Sequence, residues 1–371
     1  MKIRVCILTT VHPPFDTRIF HKQAKTLVRE GYDVTLIAQW SKDEIVDGVK
    51  IVALHTPRNR LTRVFGLSWR AFRLAFHQKA DIYHFHDPEL LLTGVLLKLF
   101  TRGRVIYDVH EDLPKQILNK HWIPRCLRWI TAWCSKLTEM AGSRFVDRIV
   151  AATPAIGRRF LKSRTVLVQN FPKMGELVGD KTTAYKKRPH VAVYVGGISR
   201  IRGLEEMVRA VGLLPDKAGV RLVLAGSFSP PELENDVQQL TGWKRVDYLG
   251  WQSREGVKKL LSEARVGLVT LHPTPNYVDS YPVKLFEYMS AGIPVVASDF
   301  PLWREIVKGA DCGLLVDPLK PEDIASAIYW LLQHPEEAQA MGERGRKAVI
   351  ERYNWNNESQ KLLQMYRELL Q

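Results

Sequence analysis

The feature that most constrains this chain is a rhythm heard twice: short β-branched runs alternate with helical stretches across its first half and again from residue 191 onward. In the first half residues 3–10 read as a strand, 17–30 as a helix, Gly31 as its stop and 33–38 as the next strand, which is a βαβ signal. Runs at 49–54, 82–85, 104–108, 148–151 and 165–168 continue the pattern. In the second half strands are expected at 191–195, 221–224, 245–249, 266–270 and 294–297, with helices to follow. Alternation of this kind predicts parallel, doubly wound sheets. A polar stretch with Gly175, Gly179 and the run Lys186, Lys187, Arg188 lies between the two patterns. The organisation expected is an α/β chain with a Rossmann-like domain over 1–174, a linker over 175–189 and a second Rossmann-like domain over 190–354. A C-terminal helix over 355–371 is expected to pack back on the first domain. Two such domains facing a central cleft would gather the carboxyl ends of both sheets around it.

Composition supports two folded domains. A chain of 371 residues suits two units of about 150 to 200 each, and 46% hydrophobic with 25% charged residues is ordinary for a globular protein. No cleavage pattern follows Met1, and the apolar run 90–100 is too short to span a bilayer and carries Lys98. A cytoplasmic protein is expected. Cys6, Cys126, Cys134 and Cys312 show neither metal-ligand nor disulfide spacing, and read as core or interface thiols. The net charge of +15 is lopsided: residues 1–172 hold 28 Lys and Arg against 14 Asp and Glu, whereas the remainder is nearly balanced. A basic first half implies an anionic partner such as a membrane surface, a phospholipid-linked substrate or nucleic acid.

The second half carries the densest chemistry. Asp279, Ser280, Tyr281, Pro282, Val283, Lys284 and Glu287 run into Gly292 and the apolar 295–297. Pro282 is expected at the first helical position with Ser280 or Tyr281 as cap, and Gly292 as the left-handed stop. Amides at that helix start suit a diphosphate, and the carboxylate of Glu287 one turn further in suits the paired hydroxyls of a ribose. The plainer alternative is a surface helix with a Lys284–Glu287 pair.

These residues resemble the GT-B-fold retaining glycosyltransferases of family 4, of the bacterial polysaccharide and glycolipid type, over nearly the whole chain. That family carries Glu-x7-Glu before a Gly-x-Pro-Val-Val-Ala-Ser strand; here the pair is Asp279 and Glu287. The resemblance implies that Glu287 binds the donor ribose, that Asp279 faces the transferred sugar, and that Ser280, Tyr281, Pro282 and Val283 lie near the diphosphate. The family's Gly-Arg-x4-Lys-Gly is replaced by Gly196, Gly197, Ile198, Ser199, Arg200, Ile201, Arg202 and Gly203. Arg202 thus stands at the Lys position, Gly197 at the Arg position, and Arg200 or Lys284 is expected to replace the missing cation. In the first half His110, after the strand 104–108, is implied to contact the donor sugar or phosphate. His84 and His86 share one strand face, where cleft lining or packing outweighs metal binding. The loop with Asp16 and Arg18 is implied to lie over the cleft near the acceptor, or else Asp16 or Thr17 is a helix N-cap.

The resemblance implies transfer of a hexose-type sugar, most commonly from a uridine diphosphate sugar, to a lipid-linked saccharide or other glycan in cell-surface polysaccharide assembly. No Asp-x-Asp motif occurs, so no metal and no cofactor beyond the nucleotide sugar are expected. A catalytically silent GT-B subunit in a glycosylation complex is the rival reading. Residues 58–79 hold six Lys or Arg and no acid among Phe65, Trp69, Phe72 and Phe76, and residues 113–138 hold five among Trp122, Trp129 and Trp133. Both stretches read as interfacial helices on an anionic membrane at its inner face, or as tryptophans in the core under a solvated basic face. Nucleic acid is not expected as a partner, because no motif of that kind is present.

Overall fold

The computed structural model describes residues 2–54, 66–118, 123–178 and 184–371. It divides the chain into two compact units, Met1–Asn170 with Asn356–Gln371, and Phe171–Trp355. The first contains strands β1 (Arg4–Leu8), β2 (Asp33–Gln39), β3 (Glu44–Val46), β4 (Val49–Leu54), β5 (Ile82–Phe85), β6 (Arg104–Val109), β7 (Arg148–Ala151) and β8 (Thr165–Leu167). Its helices are α1 (Lys25–Arg29), α2 (Ser68–Gln78), α3 (Leu91–Phe100), α4 (Leu113–Leu118), α5 (Arg125–Gly142) and α6 (Pro154–Gly157). The sheet order is β3-β4-β2-β1-β5-β6-β7-β8, parallel except where the β3–β4 hairpin turns back.

The second unit contains β9 (Val191–Val195), β10 (Arg221–Ala225), β11 (Val246–Tyr248), β12 (Val266–Val269), β13 (Val295–Ser298) and β14 (Gly313–Val316). Its helices are α7 (Leu204–Leu213), α8 (Leu233–Gln238), α9 (Arg254–Glu263), α10 (Pro275–Val278), α11 (Val283–Ser290), α12 (Pro301–Ala310), α13 (Pro321–Gln333) and α14 (Pro335–Glu351). The order β11-β10-β9-β12-β13-β14 is wholly parallel and reverses direction between β9 and β12, the doubly wound arrangement that opens a ligand crevice at the strands' carboxyl ends. Helix α15 (Trp355–Leu370) carries the chain back to the first unit, where the Tyr366 hydroxyl meets His84 Nδ1 at 2.8 Å.

Both sheets are buried on both faces, as expected of strands covered by crossover helices. Ile7, Leu8, Ile37, Tyr83, Phe85 and Tyr107 are fully buried in one unit, and Val193, Leu222, Leu268 and Val296 in the other.

Several sequence expectations need correction. Of the expected linker 175–189, residues 179–183 lie outside the described residues; of the rest, Leu177, Tyr185 and Arg188 are buried in the second unit, with the Arg188 guanidinium donating to Ala264 O at 3.0 Å. Strands β3 and β14 are additional; both are short, and β14 follows α12 by only Asp311 and Cys312, leaving no turn cluster to announce it. The helix expected over 17–30 opens as a π-helix, Thr17–Ala24, before α1. Cys6 and Cys312 are core thiols, but Cys126 and Cys134 are exposed on α5.

Candidate functional site

In the second unit, the crevice between β9 and β12 collects the residues singled out in the sequence. Helix α11 begins at Val283 rather than Pro282, which is the extended N-cap residue (φ −70°, ψ 117°) and provides no side-chain cap. Its fixed φ and missing N–H suit that place as well as the first turn. Gly292 ends the helix at φ 69°, with Ile293 N returning to Tyr288 O at 3.0 Å. Glu287 is therefore mid-helix, nearly buried, and its Oε1 accepts from Arg254 Nη1 at 2.7 Å. Arg254, the first residue of α9, also donates from Nε to Glu176 Oε1 at 3.0 Å. Although burial opposes its charge, Glu287 and Glu176 outweigh burial and raise its pKa, so the guanidinium stays charged.

The plainer reading of a surface Lys284–Glu287 pair fails. The Lys284 ammonium is buried, lies 3.5 Å from the centre of the Tyr194 ring and has no hydrogen-bond partner. Burial first, and the Arg202 charge second, hold its pKa well below the usual lysine range. A Cβ at Gly196 would stand 3.3 Å from this Nζ, so the amine sits directly against the turn that leaves β9.

The same turn explains Gly197. The Arg202 guanidinium donates to Gly197 O at 2.9 Å and to Tyr277 Oη at 3.3 Å. A Cβ at 197 would lie 2.6 Å from Arg202 Nη1. Arg202 thus reaches into the space that a side chain at 197 would need, and of the two expected replacements Lys284 is the one that lies against this turn. Arg200 does not join this cluster: it is largely exposed and pairs with Glu205 and with Asp236. It neutralises an acid in the first turn of α7, while His272 approaches the other, Glu206, at 3.0 Å. Asp279 ends α10 and is exposed, Ser280 Oγ donates to Tyr277 O, and the Tyr281 ring packs on Phe171 and Phe286.

In the first unit the polar centre is Asp108, a fully buried residue of β6. Arg18 Nε and Nη2 fork onto its two oxygens at 3.1 and 3.0 Å, and Gln23 Nε2 donates at 2.7 Å. Burial works against this charge, but the Arg18 guanidinium overcomes it and holds the carboxyl well below its ordinary range. Arg18 is therefore a buried structural cation, not a cleft-loop residue, and Asp16 is the N-cap, accepting from Arg18 N at 2.7 Å and Ile19 N at 2.9 Å. His84 is buried beneath Tyr366, so it lines no cleft. The His84, His86 and Asp108 ligand atoms lie within 4.8 Å of one another. Arg18 already occupies both oxygens of that carboxylate, and a divalent ion there would face a fixed guanidinium.

His110 follows β6. Burial would depress its pKa, but Asp108, 3.6 Å from Nδ1, more than offsets this and raises it. His110 Nε2 meets His12 Nε2 at 3.0 Å, so one of the two rings carries the proton between them. Asp87 fixes the His12 loop by accepting from Thr9 Oγ1 at 2.9 Å and from the amides of Thr10 and Val11. A cavity of about 440 Å³ opens beside these groups, lined by His12, His86, Asp87, His110 and, from α4 and α5, Gln116 and Glu139. Both ring nitrogens of His86 lack a protein partner, and burial keeps that ring's pKa well below normal, hence neutral.

Sequence reading missed His12, Asp87, Asp108, Tyr194 and Arg254. His12, Asp87 and Asp108 were visible as polar residues at predicted strand ends, whereas Arg254 is joined to Glu287 across 33 residues by the fold alone.

On α5 the amphipathic sense is inverted. Glu139 and Ala132 are buried, while Leu127, Trp129, Ile130, Trp133 and Leu137 point to solvent, with Trp129 73% and Trp133 62% exposed. With Cys126 and Cys134 they form an apolar arc of about 160° at 100° per residue. The reading of these two tryptophans as core residues is overturned. Trp69 of α2 and Leu92, Leu99 and Phe100 of the neighbouring α3 are also exposed. Residues 58–65 of one expected membrane segment, and Lys120 and Trp122 of the other, lie outside the described residues. Among the described residues no helix is long and apolar enough to cross a membrane.

Residues 17–170 match the family Glycosyltransferase Family 4, and residues 180–348 match Glycosyl transferases group 1. The chain is 24% identical over 314 residues to an MMP alpha-(1->4)-mannosyltransferase of Mycolicibacterium hassiacum, covering 82% of this chain and 74% of the relative. Several other curated relatives are matched over only 42% to 48% of their own length, so the chain spans about half of them. Sucrose-phosphate synthase from Thermosynechococcus elongatus superposes with a TM-score of 0.81 at 21% identity, covering 100% of this chain and 99% of that one. The Anabaena protein HepE, solved in complex with UDP-glucose, superposes with a TM-score of 0.76 at 14% identity over 99% of this chain and 100% of that one. At such identities the likeness establishes the GT-B fold.

Proposed function

We propose, from a GT-B fold whose residues 17–170 match Glycosyltransferase Family 4 and whose residues 180–348 match Glycosyl transferases group 1, that this chain transfers a hexose from a nucleoside diphosphate sugar to a lipid-linked saccharide or related glycan. The observation that carries the donor half is the grouping of Glu287, Arg254, Lys284 and Arg202 at the switch point of the second sheet. The Glu287 carboxylate receives the ribose diol, and Lys284, Arg202 and the α11 amides receive the diphosphate. UDP is the expected nucleotide, in line with the UDP-glucose held by HepE; a mannosyl donor is the second possibility, in line with the mannosyltransferase relative.

Transfer proceeds with retention and without a protein nucleophile: the leaving phosphate oxygen takes the acceptor proton as the new glycosidic bond forms on the same face. The cations named above stabilise the charge that develops on the departing diphosphate, so turnover is independent of added metal. The acceptor saccharide occupies the 440 Å³ cavity, where His86, His110 and His12 present ring nitrogens to hydroxyl groups. The outward face of α5 sets this unit on an anionic membrane at the cytoplasmic side, in cell-surface polysaccharide or glycolipid assembly. The silent-subunit reading rested partly on the Gly197 gap, and Lys284, set against the same turn beside Arg202, supports the active reading as the second cation.

A thermal-shift series with UDP, GDP, ADP and their sugars tests the donor assignment. At a hundredfold excess over Kd, a ligand of the native state adds about 2.7 kcal/mol. One nucleotide family should raise Tm in the intact protein and fail to do so in Glu287→Ala. The absence of any shift across the series would remove the donor-site assignment.

A further inference from the structure

A second cavity, about 600 Å³, opens at the opposite edge of the first sheet, where β1, β5 and β6 begin. None of the proposed donor or acceptor residues lines it. Four cations do: Arg4, Lys79, Arg102 and Arg104, against one acidic side chain in the lining, that of Asp81. Arg4 approaches Asp81 at 3.9 Å and Arg104 approaches Asp147 at 3.6 Å, while Lys79 and Arg102 have no acidic partner among the described residues. Lys79 ends α2 in the left-handed conformation, φ 48° and ψ 45°, a place that glycine fills without strain.

The plainer account is that these cations offset the carbonyl ends of α2, α3 and α15, which finish here. Each helix terminus is equivalent to about half a negative charge. Three termini and Asp81 leave about one and a half positive charges unmatched, close to the lower end of the charge of a phosphate monoester near pH 7. The remaining wall is apolar, with Phe76, Tyr83, Phe100 and Leu370. Phe76 and Phe100 are themselves exposed, and they continue onto the outer sides of α2 and α3, where Trp69 and Leu99 also face solvent. A free anion leaves that apolar wall unused, whereas an anion with a hydrocarbon tail covers it.

We propose that this cavity binds the phosphate headgroup of an anionic membrane lipid, with the first acyl methylenes lying on Phe76, Phe100 and Leu370. The site is separate from both substrate sites, and it fixes which side of the first unit meets the bilayer. Its cations act as point charges on phosphate, and the side chains of Lys79 and Arg102 carry this role because they are not committed to carboxylates.

Isothermal titration of the full-length protein tests this without donor or acceptor, so its result is independent of the transfer proposal. The titrants are dihexanoyl phosphatidate below its micelle concentration, dihexanoyl phosphatidylcholine and inorganic phosphate. Phosphatidate is expected to bind saturably, at least tenfold more tightly than phosphate, with no saturable binding of the choline lipid. The double variant Lys79→Gln/Arg102→Gln, both at exposed side chains and checked for an unchanged Tm, should weaken phosphatidate binding about thirtyfold. Equal affinity for phosphate and phosphatidate would make this a free-phosphate site and overturn the lipid assignment. Equal binding of the choline lipid would leave only an apolar groove. Unaltered phosphatidate binding in the double variant would place the headgroup elsewhere.

Discussion

Removing the Glu287 carboxylate separates its two tasks. In the free protein it holds Arg254 at 2.7 Å, but Arg254 is partly exposed and keeps Glu176 at 3.0 Å. Loss of that pair costs about 1 kcal/mol once solvent screening is counted. In the donor complex the same carboxylate accepts two ribose hydroxyls. Hydrogen bonds to a charged group contribute about 1.5 to 3 kcal/mol each, so even the lower value gives about 3 kcal/mol, or a hundredfold or more in kcat/KM. Glu287→Ala should therefore fold with a Tm a few degrees lower and lose at least about a hundredfold in kcat/KM for the nucleotide sugar. Glu287→Gln keeps the shape and one acceptor, and should fall between the two. The assay is release of nucleoside diphosphate, followed enzymatically over a range of donor concentrations, with thermal unfolding as control. Both variants staying within threefold of the parent would refute the ribose assignment. So would an alanine variant whose lost activity tracks lost folded protein.

Gly197→Arg should fold with an unchanged Tm, because its Cβ would meet only the far end of the flexible Arg202 side chain, 2.6 Å from Nη1; Arg202→Lys should weaken donor binding by about tenfold through loss of the guanidinium fork, and unchanged donor binding in that variant would count against its role. Lys284 has a folded pKa well below the usual 10.5, so between those values the unfolded chain binds a proton that the folded chain does not, and stability rises with pH across that window. Lys284→Met should flatten that slope and raise Tm near neutrality, while abolishing the proton uptake that titration in buffers of different ionisation enthalpy should detect when a diphosphate restores the ammonium. Trp129→Ser/Trp133→Ser should leave Tm unchanged and reduce sedimentation with anionic vesicles by tenfold or more, since each exposed indole offers about 2 kcal/mol of apolar burial; unchanged sedimentation would move the membrane face off α5. Turnover should persist in EDTA, and an absolute requirement for a divalent ion would return attention to His84, His86 and Asp108.

The fold was legible because its signals are local. Buried β-branched runs and glycine stops such as Gly31 and Gly292 repeat often enough that both parallel sheets can be drawn from them. The donor segment was legible for the same reason: Glu287 and Lys284 sit on one short helix whose end is marked by Gly292. The cleft-loop role expected of Arg18 gave way to a buried ion pair, and of the two roles open to His84 packing is the one observed; burial decides both, and their partners, Asp108 and Tyr366, are 90 and 282 residues away. The inverted face of α5 was half legible. Cations and tryptophans were plain, but periodicity shows only that two faces differ, and Glu139 turning inward to Tyr107 Oη at 2.8 Å is what settles which face is buried.

Proton NMR of a reaction containing the protein, UDP-hexose and lipid-linked saccharide in anionic vesicles tests the central claim most directly. The account predicts stoichiometric release of UDP with a new glycosidic anomeric signal of the donor's own configuration, and loss of both in Glu287→Ala. An inverted anomer, or no new glycosidic signal with any nucleotide sugar that shifts Tm, would contradict it.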